Sequence, residues 1–153
     1  MTPRPARAAE APALAALVEA AYGPYVPLIG RRPAPMEDDY AARIAAGEAW
    51  LVEDATGGPA ALLVLEEAPD HLWIDNIAVA PAAQGQGLGR ALIRFALAEA
   101  RRRGLGELRL LTNAAMTRNI ALYRRFGFQE TERRQEDGFQ RVFFKARLEE
   151  LEV

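Results

Sequence analysis

The hydrophobic positions follow a helical period in four segments of the chain. In Ala11–Tyr22 the apolar residues recur every third or fourth position, as they do on the buried face of a helix. Leu88–Arg103 repeats this spacing most regularly and predicts the best amphipathic helix in the chain. Met36–Ala46 and Asn119–Phe126 predict two shorter helices, each closed by a glycine.

Shorter apolar runs between these helices predict β-strands. They are Trp50–Glu53, Ala60–Glu66, Leu72–Val79, Leu108–Thr112, Phe128–Arg133 and Phe139–Leu148, with a weaker one at Arg4–Ala8. Turn residues at Asp54–Pro59 and Gln135–Gly138 predict that two pairs of strands form hairpins. Gly23-Pro24 is predicted to stop the first helix, and Tyr25–Pro35, with three prolines, to form an ordered loop. The whole chain, residues 1–153, is predicted to be one mixed α+β domain.

Composition narrows the class of protein. There is no apolar run of about 18 residues, so no membrane span is expected. The first residues lack the apolar core of a secretory signal and cysteine is absent, which predicts a cytoplasmic protein and no thiolate metal site; no metal is expected at all. The net charge of −2 argues against nucleic-acid binding. Arg101–Arg103 is the local exception, and we interpret it as a solvated helix end.

The turn Gln84–Arg90 carries the most informative pattern. A strand ends before it, three glycines alternate through it at Gly85, Gly87 and Gly89, and a helix begins within it. Glycine lets the backbone approach a ligand closely or adopt a positive φ. The first N–H groups of a helix lack intrahelical partners and, with the helix dipole, bind phosphate. Arg90 adds a positive charge, so the turn is predicted to bind a phosphate group, with a purely structural turn as the alternative.

Two common phosphate-binding patterns do not fit this turn. The dinucleotide pattern G-x-G-x-x-G requires a glycine where this chain has Arg90. The Walker A pattern requires Gly-Lys followed by Ser or Thr, and no lysine is near. A nucleotide-binding regulator is therefore disfavoured.

Two spaced motifs resemble the GNAT superfamily of acetyl-CoA-dependent N-acetyltransferases. Val79-Ala80-Pro81 followed by the glycine turn is similar to that family's Q/R-x-x-G-x-G/A motif. The segment Leu122–Phe128, with its Tyr123 and Gly-Phe, is similar to the second family motif, and the order of elements agrees over essentially the whole chain. The resemblance implies a central, mostly antiparallel sheet of six to seven strands, splayed in the middle and flanked by about four helices.

The resemblance also implies where acetyl-CoA lies. Pantetheine would run between the splayed strands beside backbone groups of Ile77, Ala78 and Val79, with the pyrophosphate on the turn amides. The implied cofactor-binding residues of the turn are Gln84, Gly85, Gln86, Gly87, Leu88, Gly89 and Arg90. Many members have an asparagine where this chain has Met116. Asn119, one helical turn before Tyr123, is a candidate replacement, and Asn113 is a second.

Acetyl transfer to an amine requires a proton donor for the leaving thiolate and a route for the proton of the amine. Tyr123 is the candidate general acid, which the resemblance also implies, and it is predicted to contact acetyl-CoA as well; packing in the core is its alternative. Asp75 and Asn76 interrupt an apolar strand, and a buried polar side chain needs a partner. A base acting through water, an acceptor contact and a structural hydrogen bond all remain open for them. Glu66 and Glu67 are further candidate bases, and the only histidine, His71, is interpreted as an exposed surface residue.

The acceptor is expected to lie against Tyr22–Tyr40, as the resemblance suggests, with Tyr25, Arg31 and Asn76 as candidate contacts. The predicted function is acetyl transfer from acetyl-CoA to a primary amine, on a small molecule or a peptide, by direct attack in a ternary complex. An acyl-CoA-binding regulatory module without turnover is the alternative. Neither nucleic acid nor membrane is an expected partner, and a homodimer is left open.

Overall fold

Seven strands form one sheet in the computed structural model, which describes residues 2–153. They are β1 (Arg4–Pro5), β2 (Ala49–Glu53), β3 (Pro59–Glu67), β4 (Leu72–Val79), β5 (Glu107–Asn113), β6 (Gln129–Glu136) and β7 (Phe139–Arg147). Their order across the sheet is β1-β2-β3-β4-β5-β7-β6. Every neighbouring pair is antiparallel except β4 and β5, which are parallel. The predicted mixed α+β fold with a mostly antiparallel sheet is confirmed.

Helices cover both faces of this sheet. They are α1 (Ala11–Tyr22), α2 (Val26–Ile29), α3 (Tyr40–Ala45), α4 (Leu88–Arg102) and α5 (Thr117–Arg125). One hydrophobic core joins α1 and α3 to one face, and a larger core joins α4 to the opposite face. α4 is also the crossover that a parallel pair such as β4 and β5 requires, and it places its own N-terminus beside the end of β4.

The first helix has the predicted bounds, but the chain does not stop being helical at Gly23. A 3₁₀ turn over Gly23–Tyr25 leads directly into α2. Proline is accepted in the first turn of a helix, where its missing N–H has no partner to lose. The break comes instead at Gly30, whose φ of 87° ends α2. The prediction of a loop over Tyr25–Pro35 was therefore wrong in its first half.

The helix predicted at Met36–Ala46 is divided in two. A 3₁₀ turn covers Ala34–Glu37, and α3 begins only after Asp39. The Asp39 carboxylate accepts a hydrogen bond from the Ala42 amide at 3.1 Å, which is the contact of a helix N-cap. The cap starts a new helix where the apolar pattern alone predicts a continuous one.

β4 contains a bulge at Asp75. Ile74 pairs with Leu65 of β3 and Asn76 pairs with Val64, so Asp75 has no opposite residue. An extra residue of this kind bends a strand and interrupts the regular alternation of its side chains between the two faces of the sheet. Ile74 before the bulge and Ile77 after it both pack on the α4 side, although they are an odd number of residues apart.

The bulge coincides with the opening of the sheet. β4 and β5 pair only from Leu72↔Leu108 to Ile74↔Leu110. Beyond these residues β4 continues to Val79 and β5 to Asn113 without pairing to each other. The splay that the family resemblance implies is therefore present, and it begins where β4 carries its extra residue.

The helical run Ala8–Ile29 has the length and, with a mean hydropathy of 1.2, the composition of a membrane-crossing helix. Four of its residues, Leu14, Leu17, Val18 and Tyr22, are buried against the sheet. Because a core helix of a folded domain meets the same criterion, this single helix is weak evidence for a membrane span. The sequence predicted no candidate membrane span, whereas by length and hydropathy the described residues contain this one.

Candidate active site

The glycine turn presents a row of backbone amides. Gly85 and Gly87 have φ values of 81° and 78°, which residues with side chains rarely adopt. The first hydrogen bond at the start of α4 runs from the Ala91 amide to the Gly87 carbonyl at 3.1 Å. Within residues 2–153, no backbone or side-chain group accepts from the amides of Gly85–Arg90. The turn therefore offers the unpaired donors that an anion binds.

Side chains on both sides of the turn hold it in place. Gln84 donates through Nε2 to the Val79 carbonyl at 3.3 Å, which ties the turn to the end of β4. An ideal Cβ built on Gly89 would lie 3.9 Å from Leu122 Cδ2, so α4 and α5 pack closely there. The exposed Arg90 guanidinium lies 5.3 Å from the centre of the Phe126 ring. Arg90 is the third residue of α4, so it adds a positive charge to the first turn of that helix.

A cavity of about 450 Å³, here called the turn-side cavity, opens between β4, the turn and α5. Eleven of the twelve residues predicted to bind the cofactor line it: Ile77, Ala78, Val79, Gln84, Gly85, Gly87, Leu88, Gly89, Arg90, Asn119 and Tyr123. The twelfth, Gln86, is exposed and is not part of the wall. The splayed strand end and the free amides therefore belong to one space.

A second cavity of about 370 Å³, here called the carboxylate-side cavity, lies on the other side of the gap. Its charged lining residues are Glu37, Asp38, Arg43, Asp75 and Arg141. The two cavities share five lining residues: Tyr22, Ile77, Met116, Asn119 and Tyr123. A ligand in one cavity can thus meet a ligand in the other across these shared side chains.

Tyr123 lies at the junction of the two cavities. Its ring packs against Phe128 and Phe144, with both centroid distances 6.0 Å. No described residue hydrogen-bonds to its hydroxyl, and the residue lines both cavities. Burial, with a smaller effect of the Tyr25 phenol, raises the pKa of Tyr123 to about 12, so the phenol keeps its proton at neutral pH.

Asp75 belongs to a cluster of carboxylates around one guanidinium. Arg43 donates to Asp75 Oδ2 and Asp38 Oδ2, both at 2.9 Å. It also pairs with Glu48 at 3.1 Å and with Glu66. Burial raises the pKa of Asp75, and Glu66 and Asp38 raise it further, while Arg43 opposes them. The bulge therefore places a carboxyl with an increased affinity for protons in the wall of the carboxylate-side cavity.

Asn76 uses both polar atoms of its side chain within the protein. Its Oδ1 accepts from the Tyr22 hydroxyl at 2.7 Å, and its Nδ2 donates to the Tyr40 hydroxyl at 3.1 Å. Only 3% of Asn76 is exposed. The structural hydrogen bond left open for this residue is thus present, and its contact with a substrate stays a prediction.

The other candidate residues lie in different places. Tyr25 lines the turn-side cavity, and Arg31 lines neither cavity, although both were predicted to contact the acceptor. Asn113 Oδ1 accepts from the Ala115 amide at 2.9 Å. His71, interpreted as exposed, is partly buried, and its Nδ1 lies 2.7 Å from Asp70 Oδ1.

Three charged or aromatic residues of the carboxylate-side cavity were not predicted from the sequence: Arg43, Phe139 and Arg141. Arg43 carries a weak signal, as the only charged residue inside the short helix α3. Phe139 and Arg141 alternate along β7, and nothing local marks which face of that strand borders a cavity. Their role follows from the position of β7 next to β5 in the sheet.

Comparisons with known proteins agree with this geometry. A family model described as "Acetyltransferase (GNAT) family" matches residues 14–128. Over 86 residues the chain is 40% identical to the [ribosomal protein bS18]-alanine N-acetyltransferase of Escherichia coli K12, covering 55% of this chain and 58% of that protein. The chain therefore spans less than two thirds of this relative in the alignment.

Solved structures show the same fold over almost the whole chain. The crystal structure of the ribosomal-protein-S18-alanine N-acetyltransferase from Escherichia coli superposes with a TM-score of 0.77 at 25% identity, covering 96% of this chain and 93% of that one. The yncA protein of Salmonella typhimurium, solved with its cofactor acetyl-CoA, superposes with a TM-score of 0.73 at 23% identity, covering 100% and 96%. The second likeness is one of fold alone.

Proposed function

Because the chain belongs to the GNAT family of acetyltransferases, we propose that it transfers an acetyl group from acetyl-CoA to a primary amine by direct attack in a ternary complex. The observation that carries the proposal is the position of Tyr123, a protonated phenol at the junction of two cavities. One cavity offers anion-binding amides and the other offers carboxylates, so each suits one of the two substrates.

The turn-side cavity supports binding of acetyl-CoA. The free amides of Gly85–Arg90 and the charge of Arg90 are suited to the pyrophosphate. Beyond Ile74 the edge of β4 that faces β5 has no strand partner. The carbonyls of Ile77 and Val79 accept from the side chains of Tyr22 and Gln84. The other backbone groups on this edge of Ile77–Val79 are proposed to hydrogen-bond an extended amide chain such as pantetheine, much as an added strand would.

The carboxylate-side cavity is the proposed acceptor site. An amine must lose a proton before its nitrogen can attack a thioester, and Asp75 is the proposed base, acting directly or through water. Its raised pKa brings it closer to the range in which a carboxylate accepts protons effectively. Neighbouring Asn76 is proposed to hold the wall in shape through Tyr22 and Tyr40.

The proposed reaction balances with these two residues. The neutral amine nitrogen forms a bond to the acetyl carbonyl carbon, and the bond from that carbon to the CoA sulfur breaks. Asp75 takes the proton of the ammonium group and releases it to solvent before the attack. It then takes the second proton, which the nitrogen loses as the new bond forms, and Tyr123 gives its own proton to the departing thiolate. The resulting phenolate at Tyr123 recovers a proton from solvent, since the junction is open to both cavities.

The class of acceptor is proposed to include a peptide amine. The Escherichia coli relative is named for an alanine of ribosomal protein bS18, which supports testing peptides that begin with alanine. The carboxylates Glu37 and Asp38 at the cavity wall suit an acceptor that enters as a cation.

A CoA-release assay tests the proposal. Acetyl-CoA is supplied with a panel of amines that includes an alanine-initiated tripeptide amide, free amino acids, spermidine and an aminoglycoside. We expect CoA release above spontaneous hydrolysis with at least one acceptor. A rise in melting temperature with acetyl-CoA but no release with any amine would favour an acyl-CoA-binding module instead. Absence of both effects would overturn the proposal.

A further inference from the structure

The Arg31 guanidinium joins two distant segments of the chain. Its Nη1 donates to the Asp137 carbonyl at 2.9 Å, a contact between residues 106 positions apart. Its Cζ lies 4.2 Å from the centre of the Phe139 ring, within the range of a cation–π interaction. The loop that follows α2 is thereby attached to the tip of the β6–β7 hairpin.

The tip of that hairpin is shaped to receive Arg31. Asp137 and Gly138 have φ values of 54° and 80°, the signs that a two-residue hairpin turn requires. A Cβ built on Gly138 would overlap Arg31 Nη1. The close approach of the guanidinium thus depends on the absence of a side chain at position 138.

The two joined segments each form part of the wall of the carboxylate-side cavity. Pro33, Pro35 and Asp38 lie on the side of the Arg31 loop, and Phe139 and Arg141 lie on the side of the hairpin. Arg31 itself lines neither cavity. It therefore acts on the cavity through Phe139, whose ring is buried and has the Arg141 guanidinium 5.5 Å from its centre.

We propose that Arg31 is a positioning residue that holds these two parts of the wall together and so sets the affinity for the amine acceptor. The inference rests on the proposed function, in which this cavity binds the acceptor. Without the Arg31 contact the loop and the hairpin move independently, and the closed cavity is populated for a smaller fraction of the time. The apparent affinity of an acceptor falls by that fraction, whereas the acetyl-CoA site lies on the other side of the gap.

Two variants break the contact in different ways. Arg31→Ala removes the guanidinium. Gly138→Asn displaces it with a Cβ but retains a residue that tolerates a positive φ. The matched control is Arg134→Ala, which removes another arginine from the same hairpin. Its guanidinium lies 4.3 Å from the Phe143 ring and pairs with Glu132 and Glu136, away from the Arg31 loop.

Hydrogen–deuterium exchange on the full chain tests the contact of Arg31 with the hairpin without any substrate. We expect faster exchange in residues 30–38 and 136–141 of Arg31→Ala and Gly138→Asn, and exchange like wild type in residues 30–38 of Arg134→Ala. Unchanged exchange in both test variants would overturn the inference, whether or not the protein proves to be an acetyltransferase.

Kinetics then test the consequence for the acceptor, with the tripeptide amide Ala-Gly-Ala-NH₂ and spermidine as probes. For a probe that wild type acetylates, we expect the KM of the probe to rise about tenfold in Arg31→Ala and Gly138→Asn, since a charge-assisted hydrogen bond is lost. The KM for acetyl-CoA should stay within about twofold, and Arg31→Lys should recover part of the loss. An unchanged probe KM despite faster exchange would overturn the inference. Release of CoA with neither probe would count against the proposed function, and the exchange data alone would then decide the contact.

Discussion

Asp75 Oδ2 lies 2.9 Å from Arg43 Nη2, yet the pKa of this carboxyl is raised and not lowered. Burial and the neighbouring carboxylates of Glu66 and Asp38 outweigh the one guanidinium, which is shared among four acids. Attraction by Arg43 favours the charged form of Asp75, and loss of hydration disfavours it. The contribution of Asp75 to stability and its proposed role in proton transfer can therefore be tested separately.

Asp75→Asn is expected to slow turnover while leaving stability near neutral pH unchanged or higher. A raised folded-state pKa means that folding favours the protonated acid. The stability from this group is present at acid pH and is lost as the pH rises through the folded-state pKa. The melting temperatures of wild type and Asp75→Asn at about pH 4 and about pH 7 test this expectation. The melting temperature of the variant, relative to that of wild type, should be higher at the higher pH.

The turnover rate of Asp75→Asn tests whether Asp75 acts as the base. We expect a loss of about 10²-fold or more, smaller at high pH, where more of the amine is already neutral. A pH–rate profile like that of wild type would assign Asp75 to structure alone.

Gly87→Val is expected to abolish stabilisation by acetyl-CoA. A Cβ at this position meets no protein atom within 4 Å, and Gly87 lines the turn-side cavity, so the added side chain is expected to take up space that the ligand needs. The ligand normally stabilises the folded state by about 2.7 kcal/mol at a concentration of 100 Kd, which thermal shift detects. ATP should have much less effect on wild type.

The matched control for Gly87 is Gly57→Val. Gly57 also has a positive φ, of 85°, and open space around its Cβ position, but it lies in the β2–β3 turn. Both variants carry the cost of a side chain in the left-handed region, about 1–2 kcal/mol. Only Gly87→Val should lose the acetyl-CoA shift, and loss of the shift in both would mean that strain, not access to the amides, is responsible.

Tyr123→Phe is expected to lower kcat by about 10²- to 10⁴-fold with little change in KM. The phenol has a pKa of about 12 and is fully protonated when a thiolate forms. An acetyl donor whose thiol has a lower pKa needs less help and should recover much of the rate. Tyr40→Phe, which deletes a hydroxyl bonded to Pro35 and Asn76, should cost stability but not rate. Wild-type turnover by Tyr123→Phe with acetyl-CoA would leave the tyrosine as a packing residue.

Asn76→Ala is expected to reduce the free energy of unfolding by about 1–3 kcal/mol, because two buried tyrosine hydroxyls lose a partner. Urea denaturation measures the loss, and the acetyl-CoA thermal shift should persist. In a double-mutant cycle with Tyr22→Phe the two losses should not add. Additive losses would show that Asn76 contributes through some other contact.

Much of the fold follows from local pattern. α1 and β4 have the bounds that their apolar spacing predicts, and the glycine turn lies between β4 and α4 as expected. Strand-to-helix turns with positive-φ glycines are specified by neighbours in sequence, so the sequence predicts them well. The family motifs then relate that turn to Tyr123, which no periodicity does.

What the sequence did not predict depends on contacts between distant segments. Arg43 joins acids from four other parts of the chain. The sequence singled out Asp75, but not the bulge at this residue or its contact with Arg43. Arg31 was predicted to touch the acceptor, yet its guanidinium faces the β6–β7 hairpin. Such pairings arise from the order of strands in the sheet, which hydrophobic periodicity does not encode.

The extra residue in β4 also determines which change of length this strand can accept. With Asp75 present, Asn76 meets Tyr22 on one face while Ile77 packs on the other. Ile74 and Asn76 already pair with consecutive residues of β3, so deleting Asp75 would remove the bulge and leave every later side chain on its present face. Deleting Ile77 instead would exchange the faces of the residues that follow it. A library selected for folding should therefore accept substitution or deletion at position 75, but no deletion at position 77.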